Sequence, residues 1–130
     1  MADFITEFFG TENVRTKTGE MTPQDAFKNT KMIAIYFSMH NCPPCRQFTP
    51  LFAELFNEIN KDFPENGNRD FEVIFVSGDK TDEEYNEYYE EMPWYALPRG
   101  DKRLAGLAKK FEVKGVPRLV LVKKDGTVLH

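Results

Sequence analysis

A β-branched and aromatic run, Met32 to Ser38, is followed by a long amphipathic stretch and then by a second run of the same kind, Phe71 to Ser77. Short continuous apolar runs of this sort read as buried strands. Between them, from about Cys42 to Lys61, Phe48, Leu51, Phe52, Leu55, Phe56 and Ile59 recur at helical spacing. Two strands joined by a crossover helix lie parallel, and that arrangement commits the chain to an α/β architecture. Pro50 falls inside the helix and is expected to kink it, because proline removes one intrahelical hydrogen bond and crowds the preceding turn.

The remaining elements follow from local chemistry. Thr22-Pro23 opens a short helix, with Thr as N-cap and Pro at the first position. Asp82 to Met92 reads as a helix stopped by Pro93, and Leu104 to Phe111 as another. Arg118 to Val122, Lys123-Lys124-Asp125-Gly126 and Thr127 to Leu129 read as a hairpin, since Asp-Gly supplies the positive φ of a tight turn. The order is strand, helix, strand, helix, helix, hairpin. The closing hairpin adds antiparallel strands, so the expected fold is α/β, with a mixed central sheet and helices on both faces.

At 130 residues the chain fits one domain, 1–130, and its 41% hydrophobic content can fill a core. Twelve phenylalanines supply much of the 14% aromatic share. A net charge of −4 gives no positive field for nucleic acid or an anionic membrane. The acids of Asp82-Glu83-Glu84 and of Glu87 to Glu91 read as a solvated helix face, with an interaction patch as the alternative. Met1-Ala2-Asp3-Phe4 does not begin a secretory signal, and no run of about 18 apolar residues could span a membrane. The expectation is a protein that is not secreted and stays in a reducing compartment.

Only two cysteines are present, and they stand three positions apart, so they cannot staple distant parts of the chain. Cys42-Pro43-Pro44-Cys45 follows a strand directly and opens a helix. In that context Cys-x-x-Cys is a redox signature. Unsatisfied amides and the macrodipole at a helix N-terminus favour a thiolate on the first cysteine. Cys42 is therefore the expected nucleophile. Cys45, one turn further in, is placed to resolve the mixed disulfide. Pro43 and Pro44 need no amide hydrogen in the first turn, and their fixed φ pre-forms it. Arg46 is either a cation near the thiolate or a solvated surface charge. Structural zinc usually takes four ligands, whereas this chain offers the two cysteines, His40 beside them and His130 at its end. Neither a metal nor a cofactor is expected.

Three blocks resemble the tryparedoxin/nucleoredoxin branch of the thioredoxin superfamily: Phe37 to Pro50, Val76 to Pro98 and Leu107 to Leu129. Met92-Pro93-Trp94 together with Cys-Pro-Pro-Cys is specific to this branch. The resemblance implies a thioredoxin fold and a cytosolic or nuclear protein-disulfide reductase, with Cys42 attacking, Cys45 resolving and Pro117 as a cis proline. A cis bond there would bring Gly115-Val116-Pro117 beside the dithiol and free the Val116 backbone to pair with an extended substrate. Tyr36 takes the place where ordinary thioredoxins bury an acid. Trp94 is expected to pack near the site.

The chain also departs from the family. Asn41, preceded by His40, stands where the family has Trp before the first cysteine. Gly78 stands where the branch commonly has a second Trp. Both aromatics help form a flat apolar surface around the dithiol, so these two positions bear on substrate docking. Family members usually continue into a final helix after the hairpin, and a missing helix would leave an apolar sheet face exposed.

Two functions stand open on this sequence. One is a thiol–disulfide oxidoreductase acting on disulfide-containing proteins, reduced by a thiol donor that is glutathione-like, trypanothione-like or a reductase. The other is an interaction module of the same fold in a larger assembly. A metal- or iron–sulfur-binding adaptor, resting only on Cys42, Cys45 and His40, is a third, weaker reading.

Overall fold

The computed structural model describes residues 4–62 and 69–129, so the Met1–Asp3 segment and His130 lie outside the described residues. In chain order the elements are α1 (Phe4–Phe9), β1 (Val14–Thr16), β2 (Gly19–Met21), α2 (Pro23–Ala26), β3 (Met32–Ser38) and α3 (Pro43–Ile59). There follow β4 (Phe71–Ser77), α4 (Asp82–Tyr89), β5 (Tyr95–Ala96), α5 (Arg103–Lys110), β6 (Arg118–Lys123) and β7 (Val128–Leu129). All seven strands join one sheet in the order β2-β1-β5-β4-β3-β6-β7.

The two apolar runs form the centre of that sheet. β3 pairs parallel with β4 in a register running from Met32↔Phe71 to Ser38↔Ser77. On its other side β3 pairs antiparallel with β6, so the sheet is mixed as expected. Alternation along each strand divides the interior. Ile33, Ile35, Phe37, Ile74 and Val76 pack on one face with Phe8, Phe9, Phe27, Leu107 and Phe111 of α1, α2 and α5 or the residues next to them. Ala34, Tyr36, Val73 and Phe75 pack on the other face with α3 and α4 and with Trp94. Each such large side chain stabilises the fold by about 1.5–3 kcal/mol through burial.

Caps set the helix starts. Thr22 accepts from the Asp25 amide with Pro23 at the first helical position, and Thr81 accepts from the Glu84 amide at the start of α4. α4 ends at Tyr89, three residues short of the expected Met92. There the chain tightens, with Glu91 N bonding Tyr88 O and Met92 N bonding Tyr89 O, so the last turn is no longer α-helical. α3 continues through Pro50 without a break in its assignment.

Four elements were absent from the sequence expectation: α1, the β1–β2 ribbon and β5. Each strand among them is two or three residues long, too short to display a period. β5 is fixed from outside, between β4 on one side and β1 on the other. Beyond the hairpin, β7 pairs Leu129 with Leu121 and Val128 with Val122. Gly126 turns the hairpin at φ 90°, with its amide on the Lys123 carbonyl. Phe48, Leu51, Leu55 and Ile59 form an exposed apolar stripe on α3, and Leu129 is exposed on β7.

Candidate active site

Cys42 is the N-cap of α3. Its backbone is extended (φ −115°, ψ 107°), and its sulfur accepts from the Cys45 amide at 3.4 Å. A capping sulfur receives the partial positive charge of the helix N-terminus, which favours negative charge at that atom. Pro43 and Pro44 fill the first two helical positions, where no amide hydrogen is needed. Both cysteines are free; Cys42 is half-buried and Cys45 fully buried. Burial is the main force pushing the Cys45 thiol up, and its hydrogen bond with Cys42 adds to it. The Ser38 hydroxyl and the Met39 backbone act the other way.

The Val116–Pro117 bond is cis, as the resemblance implied. The segment lies against the dithiol, with the Cys42 Sγ donating to the Val116 carbonyl at 3.8 Å. Pro117 and both prolines of the motif are exposed, and Val116 is half-buried. Cys42, Val116 and the helix start therefore make one open patch.

The loop between β3 and α3 is held by the acidic helix α4 and the turn before it. The His40 amide donates to Asp79 Oδ1 at 2.6 Å, and Asp79 in turn accepts from Ser77. The Asn41 amide donates to Glu84, and Asn41 Oδ1 lies 3.2 Å from His40 Nδ1. His40 Nε2 stands 3.6 Å from Glu87 and makes no hydrogen bond. Arg46 Nη2 lies 3.6 Å from Glu91. The guanidinium is thus committed to an exposed ion pair with the acidic segment, which favours the surface-charge reading of Arg46. Glu84 and Glu87 of α4 meet Asn41 and His40 of the active-site loop, and Glu91 beyond the helix end meets Arg46 of α3. The i, i+3 spacing of Glu84 and Glu87 was the available signal.

Gly78 donates its amide to the Ser38 carbonyl at 2.9 Å, and the Met39 side chain lies over it. Trp94 is fully buried among Tyr36, Phe52 and Phe56, with ring centroids 6.0, 5.0 and 5.5 Å away. Its ring contact with Tyr36, whose hydroxyl lies 2.7 Å from Thr49 Oγ1, links it to the residues behind Cys45.

Behind Cys45 lies a feature the sequence did not reveal. Four buried hydroxyls, from Tyr36, Ser38, Thr49 and Tyr88, form one cluster. Thr49 Oγ1 lies 2.7 Å from Tyr36 Oη and 2.6 Å from Tyr88 Oη, and it donates to the Cys45 carbonyl at 2.9 Å. Ser38 Oγ lies 2.6 Å from Tyr88 Oη. Burial pushes the Tyr88 phenol well above its ordinary range, so it stays neutral. Among the described residues no group of three His, Cys, Asp or Glu side chains is arranged to hold a metal ion.

A mixed sheet with helices on both faces, a Cys-x-x-Cys at the start of a helix and a cis proline against it define a thioredoxin-fold dithiol protein. The chain belongs to the thioredoxin-like family, whose model matches residues 29–128. A probable nucleoredoxin 1 from Arabidopsis thaliana is 48% identical over 96 residues, which is 74% of this chain and 16% of that protein. The chain thus spans only about a sixth of that relative. The tryparedoxin from Trypanosoma brucei superposes with a TM-score of 0.81 at 31% identity, covering 95% of this chain and 83% of that one. A tryparedoxin II solved in complex with glutathionylspermidine superposes with a TM-score of 0.79 at 33% identity, covering 97% of this chain and 85% of that one.

Proposed function

We propose that the chain is a protein-disulfide reductase, with Cys42 attacking and Cys45 resolving. The observation that carries this reading is the asymmetry of the pair. Cys42 is accessible, caps α3 and touches the cis-Pro117 segment, whereas Cys45 is wholly buried one turn behind. The Cys42 thiolate attacks a substrate disulfide, forming a mixed disulfide and expelling one substrate thiolate. The sulfur of Cys45 then attacks Cys42, the Cys42–Cys45 bond forms, and the second substrate sulfur leaves as a thiol. The substrate gains two electrons and the dithiol loses them. Val116, Pro117, Pro43, Pro44 and Asn41 form the docking rim, with the Val116 backbone as the edge for an extended chain.

The dithiol is regenerated by a thiol donor of the glutathione or trypanothione class, or by a reductase. The complex of tryparedoxin II with glutathionylspermidine supports a low-molecular-weight thiol. We assign the whole of 1–130 to one domain working in a reducing compartment, cytoplasmic or nuclear. No helix among the described residues is long and apolar enough to cross a membrane.

The interaction-module reading draws on Asn41 and on the Gly78–Met39 arrangement, which replace the aromatic platform. Reduction of insulin disulfides separates the two. The reductase turns over, Cys45→Ser accumulates mixed disulfides through Cys42, and Cys42→Ser is inactive. Wild-type protein with an intact, reducible dithiol and no turnover would favour the module.

A further inference from the structure

Arg118 opens β6 immediately after Pro117 and stands opposite Phe37 of β3. Residues directly opposite in an antiparallel pair project to the same face. Phe37 packs in the core on the α1 and α5 side, and Val113 and Val116 pack against that core. Arg118 therefore lies on that side of the cis-proline segment, where it is half-buried. Its Nε is buried and has no hydrogen-bond partner. Among the described residues Arg118 makes no side-chain hydrogen bond, ion pair or ring contact, and its two terminal nitrogens reach water. Each of the other five arginines is paired: Arg15 with Asn86, Arg46 with Glu91, Arg69 with Glu72, Arg99 with Asp82 and Arg103 with Asp101. A buried donor without an acceptor is costly. A guanidinium whose fork stays open to solvent offers two parallel donors to a planar anion such as a carboxylate.

We infer that Arg118 binds a carboxylate of the disulfide substrate held at Cys42, and so selects anionic substrates on the cis-proline side of the dithiol. The inference rests on the reductase reading and names a specificity residue of the same site. Val116 and Arg118 are two residues apart, so their Cα atoms are separated by no more than about 8 Å. The Val116 carbonyl in turn lies 3.8 Å from Cys42 Sγ. A disulfide attacked by Cys42, on a chain paired with Val116, thus brings its flanking residues within the span of an arginine side chain. The charge around the site favours the same placement. From Lys109 to Arg118 the chain carries four cations and a single acid, Glu112. Lys110 is paired with Glu7, whereas Lys114, exposed two residues before Val116, has no ion pair among the described residues. The opposite rim is acidic, with Glu84, Glu87 and Glu91 beside Asn41, His40 and Arg46, and repels the same anion. The carboxylate has two sources: a glutathione-type thiol in its disulfide form, or an acidic residue beside the cystine of a protein substrate.

The test is the rate at which the reduced full chain is oxidised, read by acid quench and alkylation of the remaining thiols. One arm compares oxidised glutathione with its tetraethyl ester. The other compares disulfide-linked peptides that carry Glu or Gln two positions from the cysteine. In each arm the readout is the ratio of rate constants, acid over neutral, which cancels any general effect on the dithiol. Arg118→Met keeps the stem and removes the charge. It should lower that ratio about tenfold in at least one arm, the loss expected for a hydrogen bond to a charged group that stays partly in water. Arg118→Lys, which keeps the charge without the fork, should retain part of the ratio. Added salt should bring the wild-type ratio down toward that of Arg118→Met. A fall in the glutathione arm alone assigns the site to the low-molecular-weight thiol, and a fall in the peptide arm alone assigns it to protein substrates. Unchanged far-ultraviolet dichroism certifies the variants, and Arg118→Gln keeps the test open if Arg118→Met fails to fold. Folded variants with the wild-type ratio in both arms would overturn the inference and leave the reductase reading intact. A wild type that no disulfide of either arm oxidises would overturn both.

Discussion

Met39 lies directly across Gly78: a Cβ added to the glycine would stand 2.7 Å from Met39 Cγ and 3.2 Å from Sδ. The space in which the branch commonly places an aromatic is therefore filled from the end of β3. Gly78→Trp should be destabilised by about 1–3 kcal/mol through overpacking. Met39→Ala in the same background should return most of that loss by vacating the space. Denaturant unfolding of the single and double variants checks the coupling, and simple additivity of the two changes would contradict it.

Asn41 occupies the other missing aromatic position and is tied to Glu84 and His40. Asn41→Trp should raise catalytic efficiency toward a protein disulfide about two- to tenfold, the worth of one aromatic contact. Reduction of a small aromatic disulfide should change less, since it has little surface to dock. The redox potential should barely move, remaining between about −270 and −180 mV. Protein-substrate turnover that stays unchanged would remove the docking explanation.

Glu72 is fully buried in β4, with Arg69 at 3.3 Å. Burial pushes its carboxyl up to about 7, with Arg69 opposing the shift. A raised acid means that the folded state holds its proton more tightly than the unfolded chain. Between the ordinary glutamate value and about 7 the folded state binds more protons, so stability falls as pH rises through that window. The loss is up to about 3 kcal/mol, and Glu72→Gln should remove the slope. Denaturant midpoints at pH 5 and pH 8 measure it; a wild type more stable at pH 8 than at pH 5, with an unchanged slope in the variant, would contradict the assignment.

How much of this was legible in the sequence depends on the range of the forces involved. β3, α3, β4 and the hairpin were readable because each carries its own period or turn chemistry, and Cys42-Pro43-Pro44-Cys45 because strand, cysteine and helix start are contiguous. The cis Val116–Pro117 contact came from resemblance, since local sequence does not bring residue 116 to residue 42. The hydroxyl cluster draws Tyr36, Ser38, Thr49 and Tyr88 from three elements and shows no motif in any one of them. Likewise the acids of α4 look like a solvated face until the loop carrying His40 and Asn41 is laid against them. Trp94 packs in the core against Tyr36, because the parallel pairing of β5 with β4 places Met92 and Trp94 on the sheet's α3 side.

Arg103 ties the N-terminal region to the start of α5, and its loss should be the most damaging change outside the two cores. Its guanidinium donates to the Phe9, Glu12 and Asn13 carbonyls at 2.7, 2.8 and 3.0 Å. It also donates to both carboxylate oxygens of Asp101, at 2.8 and 2.7 Å. The two side chains are only 10% and 8% exposed, so removing one strands the other out of water. Arg103→Ala should cost about 3–5 kcal/mol. Arg103→Lys should recover little, because an ammonium has three donors and lacks the planar fork that reaches four partners. Arg103 also holds the Asp101 carboxyl below its ordinary range. A depressed acid stabilises the fold above its unfolded value, and that contribution disappears as pH falls through the folded value. The penalty for Arg103→Ala should therefore be full at pH 7 and smaller in acid. None of the partners of Arg103, which are Asp101, Phe9, Glu12 and Asn13, belongs to the dithiol site, so the rate of thiolate release by Cys42 should not change. Thermal melts at pH 7 and pH 3, with that rate measured alongside, test both halves; a variant as stable as wild type at pH 7 would show that the clamp contributes nothing.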